Sequence, residues 1–152
     1  SNLGSRHGIC GAVMFLESIK AAQSTPADPT GTTSTTAVMM GLAGSLTALG
    51  SLRFLIMLSG DCSNNTTADG VDVQLSYGTG AAPANAGALA GTQIGGKVRF
   101  TALTGVLTVP FALQAVVSSL TLGTAYWIDA AVNAVTAGTA SISNLSLTVV
   151  EL

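Results

Sequence analysis

Charged side chains are the scarcest feature of this chain of 152 residues. Lys, Arg, Asp and Glu make up 8% of it, whereas an ordinary soluble domain has about 25%. Five basic and seven acidic residues form no basic patch for phosphates, so we expect no nucleic-acid partner. A surface with so few charges has little protection against association. The composition therefore predicts an obligate oligomer or a lattice component, with much of its surface covered by neighbours.

Groups that perform catalysis are almost missing. The single histidine, His7, lies near the N-terminus. We interpret it as an exposed terminal side chain without a catalytic role. Cys10 is three residues away, but two neighbours in sequence lack the third group that orients and activates a nucleophile. The sequence therefore predicts no catalytic residue, no cofactor and no enzyme activity.

Long apolar runs are missing as well. No run reaches the roughly 18 residues of a membrane-spanning helix, so we expect no membrane partner. Residues 9–16 have the length of the apolar part of a signal peptide, but Cys10, Gly11 and Glu17 argue against that interpretation. We expect this segment to belong to the mature protein.

The chain has only two cysteines, Cys10 and Cys62. The sequence leaves open whether they form one disulfide or remain two free thiols. Because an unpaired cysteine commonly behaves as a small buried apolar residue, two buried free thiols are the preferred interpretation.

A cluster of oxygen-bearing side chains lies in residues 61–72. It contains the carboxylates of Asp61, Asp69 and Asp72 with Asn64 and Asn65, and oxygen ligands of this kind can hold Ca²⁺. The spacing does not match the helix–loop–helix calcium pattern, and Asp, Asn and Gly are ordinary turn residues. The sequence therefore predicts no metal site, with calcium binding as the alternative.

The first 36 residues differ from the rest and are predicted to form an N-terminal arm and linker. Val13, Leu16 and Ile19 have helical spacing, but residues 13–16, which include Phe15, also suit an extended arm lying on a neighbour. Both conformations stay open, and the arm is preferred. Residues 24–36 have two prolines and many hydroxyl groups, which is typical of a linker.

Residues 37–152 are predicted to form one domain made of strands. Residues 53–58 lie between glycines and are continuously apolar after Arg53, which predicts a strand buried on both faces. Residues 71–77, 98–102, 109–117, 124–132 and 141–152 alternate between apolar and polar positions, with a β-bulge expected near Ser143 and Asn144. Residues 78–96 are predicted to be a long crossover loop. About eight such strands with glycine-rich turns indicate a β-sandwich of the jelly-roll type.

The C-terminal half holds the only Trp and one of two Tyr residues. In residues 124–132, Tyr126 and Ile128 are expected on one face of a strand, and Trp127 and Asp129 on the other. A Trp in the middle of a strand is typical of a core or a subunit interface, with a sugar-stacking surface as the alternative. Five residues are predicted to form interfaces, namely Val13, Phe15, Leu16, Tyr126 and Trp127.

Several short segments resemble a group of small structural proteins of tailed phages and prophages. They are TSTTAVMMGLAG at residues 33–44, YGTGAAPAN at 77–85, GTAYWID at 123–129, TAS at 139–141 and VEL at 150–152. The resemblance spans roughly residues 30–152 and implies a jelly roll similar to that of tumour necrosis factor, packed as a trimer around its aromatic C-terminal half. Relatives of this fold serve as head decoration proteins, head fibres and receptor-binding tips.

The resemblance implies a virion protein on the capsid surface. The expected function is capsid decoration or cementing, by a homotrimer whose arms bind the major capsid protein. The alternative is a tail-fibre or receptor-binding tip, in which residues 61–72 or 78–96 contact a host glycan.

Overall fold

The computed structural model describes residues 20–101 and 107–152. Within these residues the protein contains strands and no helix, and accordingly no helix that could cross a membrane. The strands are β1 (Ala21–Ser24), β2 (Val38–Met39), β3 (Gly44–Thr47), β4 (Phe54–Asn64), β5 (Gly70–Thr79), β6 (Thr92–Thr101), β7 (Thr108–Val117), β8 (Ala125–Ala134) and β9 (Ala140–Glu151).

The strands form two antiparallel sheets. Sheet A has the order β1-β9-β4-β7, and sheet B has the order β2-β8-β5-β6, with β3 pairing the same edge of β8 farther along. Counted together, β2 and β3 act as one interrupted strand, which leaves eight strands paired first with last, second with seventh, third with sixth and fourth with fifth. A long hairpin rolled up in this way is the jelly roll, so the predicted fold class is confirmed.

The core lies between the two sheets and is filled by alternate residues of the long strands. In β4, Phe54, Ile56 and Leu58 are at most 1% exposed. The inward positions of the neighbouring strands complete the same cluster, including Val71, Val73, Leu75, Phe111, Leu113, Ile128, Val132, Ile142, Leu145, Leu147 and Val149. Because a strand alternates its faces, each of these strands has a second set of side chains pointing away from the core.

The expectation that residues 53–58 are buried on both faces is wrong. Met57 is 37% exposed and Leu55 is half-buried, while their neighbours Phe54 and Ile56 are fully buried. The reason is that no described segment of the chain packs over the outer side of sheet A. The apolar run reflects one core face and one unusually apolar outer face.

The bulge predicted near Asn144 is confirmed. Ser59 pairs with Ser146 and Asp61 with Ser143, so β9 contains one more residue than β4 at this point. Asn144 takes up the extra residue with a φ of 52°, a conformation that Asn tolerates better than most residues. The bulge brings Ile142 into the core together with Leu145.

The prediction of a crossover in residues 78–96 is wrong, because β5 and β6 are antiparallel neighbours joined by a hairpin loop. This loop folds back over sheet B. Met39 and Ala86 each donate a 2.8 Å backbone hydrogen bond, to Gly87 and Met39 respectively. The Ser76 hydroxyl donates to the carbonyl of Ala90 at 2.7 Å. The long connection therefore covers a sheet face.

The described part of the predicted arm and linker begins at Lys20. Strand β1 (Ala21–Ser24) pairs with β9 at the edge of sheet A, and Thr32 exchanges two 2.8 Å backbone hydrogen bonds with Ala140. Residues 21–24 thus belong to the sandwich. The division into residues 1–36 and 37–152 stays a prediction, and residues 1–19 lie outside the described part of the chain.

Candidate assembly surface

The outer face of sheet A is the most unusual surface of the described structure. It is formed by the outward side chains of β1, β9, β4 and β7, and not one of them is charged over three successive rows. These side chains belong to Ala21, Gln23, Leu55, Met57, Ser59, Ala112, Gln114, Val116, Ser146, Thr148 and Val150. We call these eleven residues the outer face of sheet A. Asp61 lies in the next row, outside this face.

Strand register arranges this face in rows. Leu55 lies between Val150 and Val116, which gives an apolar row across three strands. Met57 lies between Thr148 and Gln114 in the next row, and an uncharged row of small residues follows. Cross-strand neighbours of this kind are about 5 Å apart. The face is therefore continuous, apolar at one end and polar but uncharged at the other.

The face is also concave at its centre. A depression of about 540 Å³ is bordered by Met57, Ser59, Gln114, Ser146 and Thr148, among other residues. Val116 beside it is 52% exposed. Exposed apolar side chains around a depression in an uncharged surface are typical of a contact surface.

The outer face of sheet B differs because the chain covers it. Trp127 is 6% exposed and packs with Met39 and Ala131 in a second small core. Its indole N–H donates to the carbonyl of Thr79 at 3.2 Å, and any side chain at Gly91 would collide with its ring. Trp127 therefore offers no surface for stacking a sugar, and the alternative interpretation of this residue is wrong.

Tyr126 points in the opposite direction, into the main core, as the strand pattern predicted. Its ring meets Phe54 edge to face at a centroid distance of 6.0 Å, and its hydroxyl accepts a 2.8 Å hydrogen bond from the backbone of Thr121. Tyr126 is only 7% exposed. Both aromatic residues are thus buried within one subunit, and their role in an interface stays a prediction.

The other three predicted interface residues, Val13, Phe15 and Leu16, lie outside the described residues, as do His7 and Cys10. Cys62 is described and is buried at 2% exposure against the core. Burial raises the pKa of its thiol, and the neighbouring carboxylate of Asp61 raises it further. Because the thiolate is the reactive form, Cys62 is an inert packing residue.

Buried carboxylates hold loops in place instead of forming an acid–base pair. Asp129, 1% exposed, accepts hydrogen bonds from the backbone N–H groups of Gly41 at 2.9 Å, Leu42 at 3.0 Å and Ala130 at 2.7 Å. Burial raises the pKa of Asp129 even though these donors oppose that effect. Glu151 similarly accepts from three residues of the β3–β4 loop, among them Gly50 at 2.7 Å.

The three carboxylates of residues 61–72 do not converge. Asp61 accepts a 2.9 Å hydrogen bond from the side chain of Asn144. Asp72 forms an ion pair with Arg99, with a shortest N–O distance of 2.7 Å. Asp69 accepts from backbone N–H groups, including those of Thr136 and Ala137. Among the described residues no group of three potential ligands meets at one point, so the cluster seen in the sequence separates into three structural contacts.

Stability is expected to fall in acid because three of these carboxylates are held in the charged form. The hydrogen bond from Arg99 lowers the pKa of Asp72. Burial opposes the effect of the backbone donors at Asp69 and Glu151, but the donors prevail and lower both pKa values. Groups with a lowered folded-state pKa stabilise the fold above their unfolded pKa of about 4 and lose that contribution as pH falls.

Asp129 has the opposite sign, since a raised folded-state pKa stabilises the fold most at low pH. Three carboxylates have a lowered pKa in the folded state and one has a raised pKa. We therefore expect the free energy of unfolding to decrease from pH 5 to pH 3. Urea unfolding at several pH values measures it, and Glu151→Gln should reduce the slope. Constant or rising stability over that interval contradicts the assignment.

The outward residues Leu55, Met57, Val116 and Val150 were missed by the sequence interpretation, which placed interfaces in aromatic residues and in the arm. A signal was present in the alternation itself. In the three rows of this face, the positions of β4, β7 and β9 that should face water carry Leu, Met, Val, Ala, Ser, Thr and Gln. A solvated strand face normally carries charged residues, so the absence of charge from these three rows is the sequence signal of a candidate contact surface.

No protein-family model and no curated protein matches the chain. It is similar in structure to chains in a solved structure of infectious bursal disease virus, Gx strain, with a TM-score of 0.43 and 16% identity over 88% of this chain and 33% of that chain. It is also similar to the VP2 subviral particle of infectious bursal disease virus, with a TM-score of 0.29 and 12% identity over 89% of this chain and 37% of that chain. The chain thus spans about a third of the length of these solved chains. At these values the similarity carries no argument for function.

Proposed function

We propose that this protein is a structural subunit of a virus particle, a homotrimer that decorates and cements the capsid of a tailed phage. The observation that carries the proposal is the uncharged outer face of sheet A, which no described segment covers, in a chain with 8% charged residues. A subunit that works alone in solution needs charge on such a surface. A subunit that is always assembled does not.

The fold and the interior support the same proposal. Jelly rolls are common among viral capsid domains, although a fold alone is an argument by analogy. The buried carboxylates of the described residues are all engaged with backbone or side-chain partners. Their arrangement serves to hold loops, which suits a rigid building block.

The proposed mechanism is mechanical. A trimer presents several copies of the same contact to the capsid, and the N-terminal residues of each copy bind neighbouring capsid subunits. Each contact is weak by itself, but linked contacts gain strongly in overall affinity because the second one forms within the complex. The trimer therefore ties capsid subunits together against pressure from inside.

Deleting residues 1–19 is expected to leave a folded trimer that no longer coats capsids. The deletion must stop there because β1 begins at Ala21 and pairs with β9. Cosedimentation of the purified protein with phage heads that lack it measures the binding. We expect binding to fall by at least tenfold, which corresponds to about 1.4 kcal/mol.

A matched pair of variants controls for chain length. Val13→Ser, Phe15→Ser and Leu16→Ser together should weaken coating as the deletion does, whereas Ser1→Ala, Asn2→Ala and Ser5→Ala should not. Undiminished coating by the shortened chain contradicts the role of the arm.

A further inference from the structure

We propose that the outer face of sheet A is the surface through which copies of this chain contact one another, with three such faces turned towards the axis of a trimer. The inference rests on the proposed function and adds to it the location of the contact. It assigns self-association to outward residues of β4, β7 and β9 in place of the buried Tyr126 and Trp127.

The two outer faces of one sandwich differ in what covers them. Sheet B carries Trp127, Asp129 and Ala131 on its outer side, and residues of the β5–β6 loop and of the segment before β3 bury them. Sheet A carries Leu55, Met57 and other uncharged residues in the corresponding positions with no described segment over them. The described residues thus cover the outer side of sheet B around Trp127 and leave the outer face of sheet A open.

Charge complementarity favours a second copy of the chain as the occupant. A partner that buried this face with a charged surface would leave its own charges desolvated and without an opposite charge to pair with, which is costly. The outer face of sheet A on another copy has no such charge. The described charged residues lie outside these three rows. Asp61 and the exposed Arg53 border the face along β4, and others such as Asp72 and Arg99 lie on β5 and β6. The face is therefore electrostatically suited to itself.

The shape of the face also suits a second copy. The apolar row formed by Val150, Leu55 and Val116 borders a depression of about 540 Å³ around Met57. An exposed apolar side chain from a second copy can enter such a depression, while Gln114 and Thr148 beside it can form uncharged hydrogen bonds across the contact. Apolar contacts combined with polar uncharged groups are the ordinary make-up of a protein interface.

The size of the face favours a closed ring over an isolated pair. Four strands about 4.8 Å apart and three rows about 6.8 Å apart cover roughly 400 Å² before side-chain relief is counted. A standard interface buries about 800 Å² on each partner. One contact through this face is therefore weak, and a ring in which each copy meets two others is stabilised by multiple contacts. Assembly should accordingly depend on concentration.

The test places a charge on the face and a matched charge on the opposite side of the sandwich. Met57→Glu changes the centre of the face, and Leu89→Glu changes a side chain of similar exposure, 46% against 37%, in the loop over sheet B. Sedimentation equilibrium of the full chain gives the oligomer and its dissociation midpoint. We expect Met57→Glu to raise the midpoint on the order of 100-fold, because the charge must be buried without a partner. Leu89→Glu should leave it unchanged.

Val116→Glu on β7 provides a second position in case the first variant does not fold, as judged by circular dichroism and thermal unfolding. Folded variants that dissociate at both positions support the contact surface. Wild-type association in folded Met57→Glu and Val116→Glu overturns it, as does equal dissociation in Leu89→Glu or a wild-type chain that is monomeric up to 1 mM, on the order of the weakest specific contacts.

The oligomer is measured on the isolated protein and needs no particle. A monomeric wild-type chain would thus remove the contact surface without deciding whether the protein belongs to a virion. A chain that forms the trimer through this face but is absent from purified particles would support the contact surface and contradict the assignment to a virion.

Discussion

Replacing Asp129 by Ala is expected to lower the free energy of unfolding by about 3 kcal/mol, since it leaves buried N–H groups without acceptors. The two oxygens of this carboxylate accept from Gly41, Leu42 and Ala130. They thereby fix the segment between β2 and β3 against β8. The same substitution relieves the burial of a charge, which is why the expected cost stays well below the sum of three lost hydrogen bonds.

Asp129→Asn should fall between the wild type and the Ala variant. The amide keeps one acceptor oxygen, but its NH₂ group faces a backbone donor and leaves that donor without a partner. Asp28→Ala is the control, because Asp28 is exposed and accepts a single hydrogen bond from the backbone of Asn144. Urea unfolding at fixed protein concentration gives the free energy of unfolding of each of the three variants, for comparison with the wild type. An Ala variant within 0.5 kcal/mol of the wild type, roughly the range of surface substitutions, contradicts the assigned role.

Replacing Trp127 by Ala is expected to cost about 3 to 5 kcal/mol, the usual range for deleting a large buried aromatic side chain. The residue fills the space between β8, Met39 and the β5–β6 loop, where Gly78 and Gly91 pass close to its ring. No smaller side chain can fill that space without a cavity. Trp127→Phe should cost less, since it keeps an aromatic ring and loses mainly the hydrogen bond to Thr79.

Trp127 is the only Trp in the chain, so fluorescence reports on this position alone. We expect emission at the short wavelengths of a buried indole, with a shift to longer wavelengths on unfolding. Host-type glycans should not change the emission of the folded protein. Leu89→Ala, at an exposed position of the covering loop, is the control and should change stability by less than 0.5 kcal/mol, roughly the limit for a surface site. Emission typical of an exposed indole, or quenching by sugars, would restore the glycan-binding alternative.

The strand pattern was predictable because burial between two sheets imposes a period of two on each strand. Val71, Val73 and Leu75 alternate with polar residues, and the break at Asn144 marked the bulge. The carboxylate contacts were not predictable. Asp129 and Gly41 are 88 residues apart, and the jelly-roll topology that joins them depends on pairing between the two ends of the chain.

The outer faces of the two sheets show a second property that could not be predicted from the sequence. The outer side of a strand can be covered by the chain itself, as at Trp127, or have no described segment over it, as at Met57. The two cases look alike in the alternation of residues, since the covering segment is itself an irregular loop of Gly, Ala and Asn. The run at residues 53–58 therefore predicts a strand buried on both faces, although its outer face is exposed.

The copy number of this chain in purified particles, relative to the major capsid protein, decides whether it decorates a capsid. Quantitative mass spectrometry with isotope-labelled peptides gives the ratio. Decoration of the capsid predicts hundreds of copies per particle, as expected if one trimer covers each repeated site of the lattice. A handful of copies would place the protein at a tail tip and favour the receptor-binding alternative, and its absence would contradict the assignment to a virus particle.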